Sequence, residues 1–208
     1  MFVQSSVGAY LDALASSEPT PGGGSTAALA GALAAGLVSM VCNLTIGKRR
    51  YREAEPTLRE VLARAEALRR RMTDLMERDA AAYAGVMRAH RLPGQAPEEQ
   101  AVRQQALQEA LQEATLAPLE IAEGCAQALE LALPAAELGN PWAVSDAGAA
   151  AFLAEAALHA ALLNVHINLR SLDEGAFAQA ARSRLDDLTS RARQKERIVA
   201  LVRQRIAG

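Results

Sequence analysis

Apolar residues recur at intervals of three and four along nearly the whole chain, and nowhere do they alternate as in a half-buried strand. The clearest seam runs through Leu58, Val61, Ala65, Leu68, Met72 and Leu75, the spacing of a long helix packed along one face. The same reading predicts a short helix over about residues 7–15 and an uncharged helix from Ser25 or Thr26, either of which can cap it, to near Ile46. The seam helix itself follows Pro56 and ends near Arg91. A fourth helix runs from near Glu98 toward Leu133 and is kinked at Pro118. Ser145 or Asp146 caps a fifth, and a last amphipathic helix carries Leu185, Leu188, Ile198, Leu201 and Val202. The breaks are PTPGGGST, LPGQAP and PAAELGNPW, each rich in proline or glycine. No internal repeat or linker divides the chain, so residues 1–208 are read as one domain.

Composition sharpens this to an all-α fold, a bundle of long antiparallel helices. Half of the residues are hydrophobic but aromatics make up only 3%, so alanine and leucine, both strong helix formers, carry the apolar pattern. A net charge of −2 argues against binding that depends on neutralising nucleic-acid phosphates. The stretch from Gly22 to Gly47 has no charge and is long enough to cross a bilayer. It consists mostly of alanine and glycine and contains Ser39, Asn43 and Thr45, which suits a buried central helix better than a membrane span. Cys42 and Cys125 sit in apolar helical patterns without CxxC spacing, as expected of a reduced, cytoplasmic chain. The first residues show no basic run ahead of an apolar core, so no secretory signal is expected.

Polar groups interrupt the pattern in three places. Gly22, Gly23 and Gly24 lead into Ser25 at a helix start, where N–H groups lack intrahelical partners and carry partial positive charge. A loop without side chains can bring those donors close to a carboxylate, carbonyl or phosphate; alternatively, the glycines serve only a tight turn. No GK[ST] follows and no strand precedes, so the run is neither a P-loop nor a dinucleotide fingerprint. Asp79 is the second place: it falls on the apolar seam one step beyond Leu75, with Tyr83 a turn further. A carboxylate there is either paired structurally or serves as a general acid or base with a shifted pKa. The third place is the stretch from Asn140 to Asn168. Ser145 and Asp146 stand at a helix start, and Asn164 and Asn168 share a face near its other end. On an unbroken helix, Asp146 and Asn164 lie roughly 27 Å apart. They therefore serve different ends of a long ligand, meet through a partner subunit, or are capping residues and bonded amides. Glu155, His159 and His166 are too widely spaced for one metal ion and HExxH is absent, so no metal is expected.

Taken together, FVQSSVGAYLDALASSEPTPGGGSTAALAGALAAGLVSMVCNLTIGKRRY, LMERDAAAYAGVM, ATLAPLEIAE and GNPWAVSDAGAAAFLAEAALHAALLNVHINL resemble the cyclodeaminase part of the formiminotransferase-cyclodeaminase family. The resemblance spans most of the chain up to Leu169 and implies no transferase activity. It implies a helical homodimer whose folate cleft is lined by Gly22, Gly23, Gly24 and Ser25, with no bound cofactor beyond a tetrahydrofolate substrate. Asp79 matches the catalytic aspartate of a DAxA[FY] motif, Lys48 the lysine after the long apolar helix, and Ser145 and Asp146 the SDAG motif. Tyr83, Asn140, Asn164 and Asn168 are further candidates for substrate contact.

The reaction this implies is closure of 5-formimino-tetrahydrofolate to the 5,10-methenyl form, with release of ammonia. Asp79 would shuttle the proton from N10 to the departing nitrogen. Lys48 would orient Asp79 or bind a folate carboxylate. The alternative is methenyl-tetrahydrofolate cyclohydrolase, in which water attacks the same carbon. A non-catalytic folate-binding or interaction bundle is the reading from another class.

Overall fold

The computed structural model of the protein describes residues 1–207 and contains helices and turns but no strand among them. In chain order the helices are α1 (Val7–Leu14), α2 (Gly23–Asn43), α3 (Glu55–His90), α4 (Pro97–Leu138), α5 (Val144–Leu169), α6 (Ala176–Arg191) and α7 (Gln194–Ala207). Helices α2 to α5 form an up-down-up-down bundle in which α2 packs on α3, α5 and, diagonally, α4. The fully buried Met72 of α3 shows how close the crossing is. A Cβ at Gly31 of α2 would stand 2.3 Å from its Cε, and one at Gly124 of α4 2.4 Å from its Sδ. Two glycine notches thus let three helices meet on one thioether. Such tight, small-residue packing is what an alanine-rich core with few aromatics requires.

Helices α6 and α7 cover the outer side of α4 and α5. Glu123, Glu130 and Glu137, spaced by sevens along α4, pair with Arg184 at 2.7 Å, Arg191 at 2.6 Å and Arg197 at 3.5 Å. These partly exposed pairs fix register more than they add stability. Helix α2 and the segment Pro141–Leu169 are each long and apolar enough to cross a membrane. Both are bundle helices here, and α2 buries Val38, Val41 and a run of alanines against three neighbours.

Several element boundaries differ from the sequence reading. Helix α4 runs unbroken through Pro118 and also through Pro134, where a break was expected, and ends at Leu138. Helix α2 has Gly22 as its N-cap, so neither Ser25 nor Thr26 caps it; the Thr26 hydroxyl donates back to the Gly22 carbonyl at 2.9 Å. Helix α5 starts at Val144 with no side-chain cap, which leaves Ser145 and Asp146 inside its first turn. The final amphipathic segment is two helices, so that Leu185 and Leu188 of α6 lie over α4 while Val202 of α7 reaches Gly148 of α5.

Helices α3 and α4 are longer than α2 and α5. The start of α2 lies against Asp79, and Asn168 near the end of α5 lies against Ala114 of α4. Beyond that level α3 continues to His90 and α4 returns from Pro97, so the α3–α4 hairpin stands past the body of the bundle. The shoulder where hairpin meets bundle holds the cleft described next.

Candidate active site

A cavity of about 520 Å³ lies on this shoulder. Its floor is the glycine loop with Asn164, Asn168 and Ser171 at the end of α5. Its wall is the inner face of the hairpin, where Asp79, Tyr83, Val86, Met87 and His90 form one stripe of α3 opposite Leu107 and Leu111 of α4. The stripe repeats every three to four residues because it is one face of a single helix.

Asp79 sits in the corner, against the first turn of α2. A Cβ on Gly24 would lie 2.2 Å from its Oδ1, so the helix start approaches this carboxylate only because that residue is glycine. Ser25, fully buried, donates its hydroxyl to Asp79 Oδ2 at 3.3 Å and to the Met76 carbonyl at 3.1 Å. Burial pushes the Asp79 carboxyl above its ordinary value, while hydrogen bonds from the Ser25 side chain and backbone N–H pull the other way; burial wins. The glycine loop is expected to offer α2's free N–H groups to a ligand. Part of that donor set is instead turned to Asp79, which occupies the anion position at the helix N-terminus. Tyr10 of α1 pins the loop from outside, with its hydroxyl 3.2 Å from Thr26 Oγ1.

The two asparagines of α5 serve the cleft differently. Asn164 donates its amide to the Ala160 carbonyl at 3.0 Å and lies close to Gly23. Asn168 donates across to the carbonyl of Ala114. That carbonyl is four residues before Pro118, which has no N–H to bond it. The proline in α4 and the asparagine in α5 therefore form one device, which satisfies a freed carbonyl and fixes the cleft wall. Tyr83 is exposed to the cleft at 40%.

The remaining candidates are elsewhere. Lys48, Asn140, Ser145 and Asp146 gather at the opposite end of the bundle, separated from Asp79 by the 21 residues of α2, a rise of about 30 Å. Lys48 is exposed there and touches none of the cleft. Asn140 ties the local loops together. Its N–H donates to Thr45 Oγ1 at 2.8 Å, its amide to the Leu44 carbonyl at 3.4 Å, and its Oδ1 accepts from Tyr51 and from the Trp142 N–H. Within one chain, then, Lys48 does not orient Asp79, and Asn140 has its side chain engaged in its own fold. His90, Met87 and Ser171 line the cleft but were not singled out in the sequence. Continuing the seam from Asp79 by steps of four, three, one and three finds the first two.

These details can be set beside known proteins. The sequence profile described as formiminotransferase-cyclodeaminase matches residues 6–187. The chain belongs to that family. A methenyltetrahydrofolate cyclohydrolase of Methylorubrum extorquens is 45% identical over 198 residues, which are 95% of each chain. The formimidoyltransferase-cyclodeaminase of Rattus norvegicus is 34% identical over 95% of this chain but only 36% of its own length. The crystal structure of formiminotetrahydrofolate cyclodeaminase from Thermotoga maritima superposes with a TM-score of 0.89, at 27% identity, over 99% of this chain and 100% of that one. The family's bundle is thus present end to end.

Proposed function

We propose that the protein is a methenyltetrahydrofolate cyclohydrolase, opening the 5,10-methenyl bridge of tetrahydrofolate with water. The observation that carries this reading is the single carboxylate in the cleft: Asp79 lies in the glycine-loop corner with its basicity raised by burial. Among the described residues no lysine or arginine lines the cleft. That environment suits a cationic methenyl group, whose charge Asp79 complements. Water attacks the bridging carbon while Asp79 takes one of its protons; the tetrahedral adduct then breaks its bond to one ring nitrogen, which receives that proton from Asp79. The second proton of the water is lost as the formyl carbonyl forms, so one proton is released per turnover. The α2 start and Asn164 hold the folate so that water, carbon and carboxylate meet.

The sequence reading puts cyclodeaminase first. The choice moves because the relative that is 45% identical over nearly the full length of both chains carries the cyclohydrolase name. Cyclodeaminase remains the second reading, favoured by the near-complete superposition on the Thermotoga maritima enzyme. The same Asp79 would then take the N10 proton and deliver it to departing ammonia. Purified protein given 5,10-methenyl-tetrahydrofolate is expected to accelerate loss of the methenyl absorbance well beyond the buffer rate. Given 5-formimino-tetrahydrofolate, it should release ammonia slowly or not at all. Ammonia release without methenyl hydrolysis would reverse the assignment, and inactivity on both would remove it.

The reading includes a homodimer. Leu33 of α2 and Leu163 of α5 are 54% and 65% exposed, and Met40, Phe152 and Ile167 add to apolar surface on the same two helices. An antiparallel pairing of two such surfaces brings the end of one bundle that bears Lys48, Ser145 and Asp146 beside the other's cleft. Trp142, 91% exposed at that end, would be covered too. Lys48 of the partner subunit would then reach Asp79 and orient it, the role the sequence reading gives it, so both groups would serve one site. Asp79→Asn and Lys48→Ala, each inactive as a pure protein, are expected to regain up to about a quarter of wild-type activity when refolded together, as random pairing restores one intact cleft in half of the dimers. No recovery on mixing would count against a shared site.

A further inference from the structure

The cleft has a direction. Its closed corner holds the glycine loop, Asp79 and Asn164; its middle is apolar, with Val86 and Met87 of α3 facing Leu107 and Leu111 of α4. Past that slot comes His90, the last residue of α3. Among the described residues it is the only cleft-lining side chain of basic type, so it is the group there suited to hold an anion. It lies on the same face of α3 as Asp79, eleven residues on, which is about 16 Å along the helix axis.

We infer that the folate lies lengthwise along α3, with its pterin and bridge carbon at Asp79, its aminobenzoyl ring in the apolar slot, and its glutamate carboxylate on His90. This rests on the folate reading above. The dimensions agree. From the bridge nitrogen to the glutamate carboxylates is about 10–12 Å by standard bond lengths, and a hydrogen bond of about 3 Å at each end brings that to the spacing of the two side chains. Charge agrees as well. The cationic bridge is placed on the one carboxylate and the anionic tail on the one imidazole, whereas the reversed orientation sets the tail against Asp79. His90 is thereby a binding and specificity residue and takes no part in bond making.

Calorimetric titration with tetrahydrofolate, and with tetrahydropteroate, which lacks the glutamate, separates the possibilities. Wild type is expected to prefer the glutamyl ligand by roughly tenfold or more, the effect of one hydrogen bond to a charged group. His90→Gln should lose that preference while keeping its affinity for tetrahydropteroate, and His90→Arg should keep it. His90 is exposed at a helix end, so neither change threatens the fold, and circular dichroism verifies that. An unchanged preference in His90→Gln, an equal loss for both ligands, or loss of the preference in Lys48→Ala instead would overturn the assignment. Failure of wild type to bind either ligand would instead remove the folate reading itself, a result distinct from any of these.

Discussion

Asp79→Asn is expected to lower kcat by about 10²–10⁴-fold, the usual contribution of a positioned general base, while thermal stability holds or rises. The two halves of this result have one cause. Burial raises the pKa of the Asp79 carboxyl because the folded protein disfavours its ionised form. At a pH above the raised value the group is charged in both folded and unfolded chains, and the fold bears the penalty. Between the ordinary carboxylate pKa and the raised one, the unfolded chain is ionised while the folded chain holds its proton. Stability from this group therefore falls as pH rises through that window, and below it the two states are alike. Asparagine has the same shape, still accepts from Ser25 and never ionises, so it removes the penalty and the base together.

Two measurements follow from that sign. The kcat/KM profile of wild type should rise with pH as Asp79 ionises, and this acid limb should be missing from whatever activity the variant retains. The difference in melting temperature between variant and wild type should be zero or positive near neutrality and shrink as pH falls through the window. Full turnover in the variant, or a clear loss of stability, would mean that Asp79 is a structural member of the α2–α3 contact. A functional residue that weakens its own fold is the pattern expected where activity and stability compete.

The sequence makes the bundle legible because its helices are long and their seams regular. The step from Leu75 to Asp79 is visible in the spacing alone, and the structure places Asp79 where that step puts it, in a cleft. What spacing could not convey depends on neighbours distant in sequence. Pro134 reads as a break, yet α4 passes through it, because Ala132, Ala135 and Ala136 are fully buried on both sides and tertiary packing holds the segment helical. Pro118 reads as a kink; its consequence is an acceptor for Asn168, fifty residues later. Asn140 reads as a substrate contact, and the structure gives each of its polar groups a backbone or side-chain partner. Lys48 and Asp79 read as partners in one site, yet the structure sets them at opposite ends of α2, a separation that residue spacing along the chain does not reveal. The three glycines illustrate the limit most sharply, since composition treats them alike and the structure does not.

Gly24→Ala is expected to reduce kcat by about 10²-fold, the loss that displacement of a catalytic group by about 1 Å can produce. A Cβ at this position would lie 2.2 Å from Asp79 Oδ1 and 2.5 Å from both Cγ and Oδ2, so the carboxylate must move. Gly23 and Gly22 impose no such demand: a Cβ there would meet Asn164 Nδ2 at 3.6 Å and the Pro19 carbonyl oxygen at 3.5 Å, ordinary contacts. The stability change in Gly24→Ala should be small, because overpacking of about 1–3 kcal/mol is offset by alanine's advantage of about 1 kcal/mol in a helix. Activity and stability thus part company again, now through geometry and not ionisation. A double-mutant cycle isolates the contact. With Asp79→Ala already in place the clash is gone, so adding Gly24→Ala should be neutral or stabilising in urea denaturation. The resulting coupling should lie within about 0.5–3 kcal/mol, the range for residues in contact. A coupling near zero would mean that α2 accommodates the methyl by moving away from α3. In that case the catalytic loss would have to come from the displaced helix N-terminus, whose N–H groups hold Asp79, and not from the clash itself.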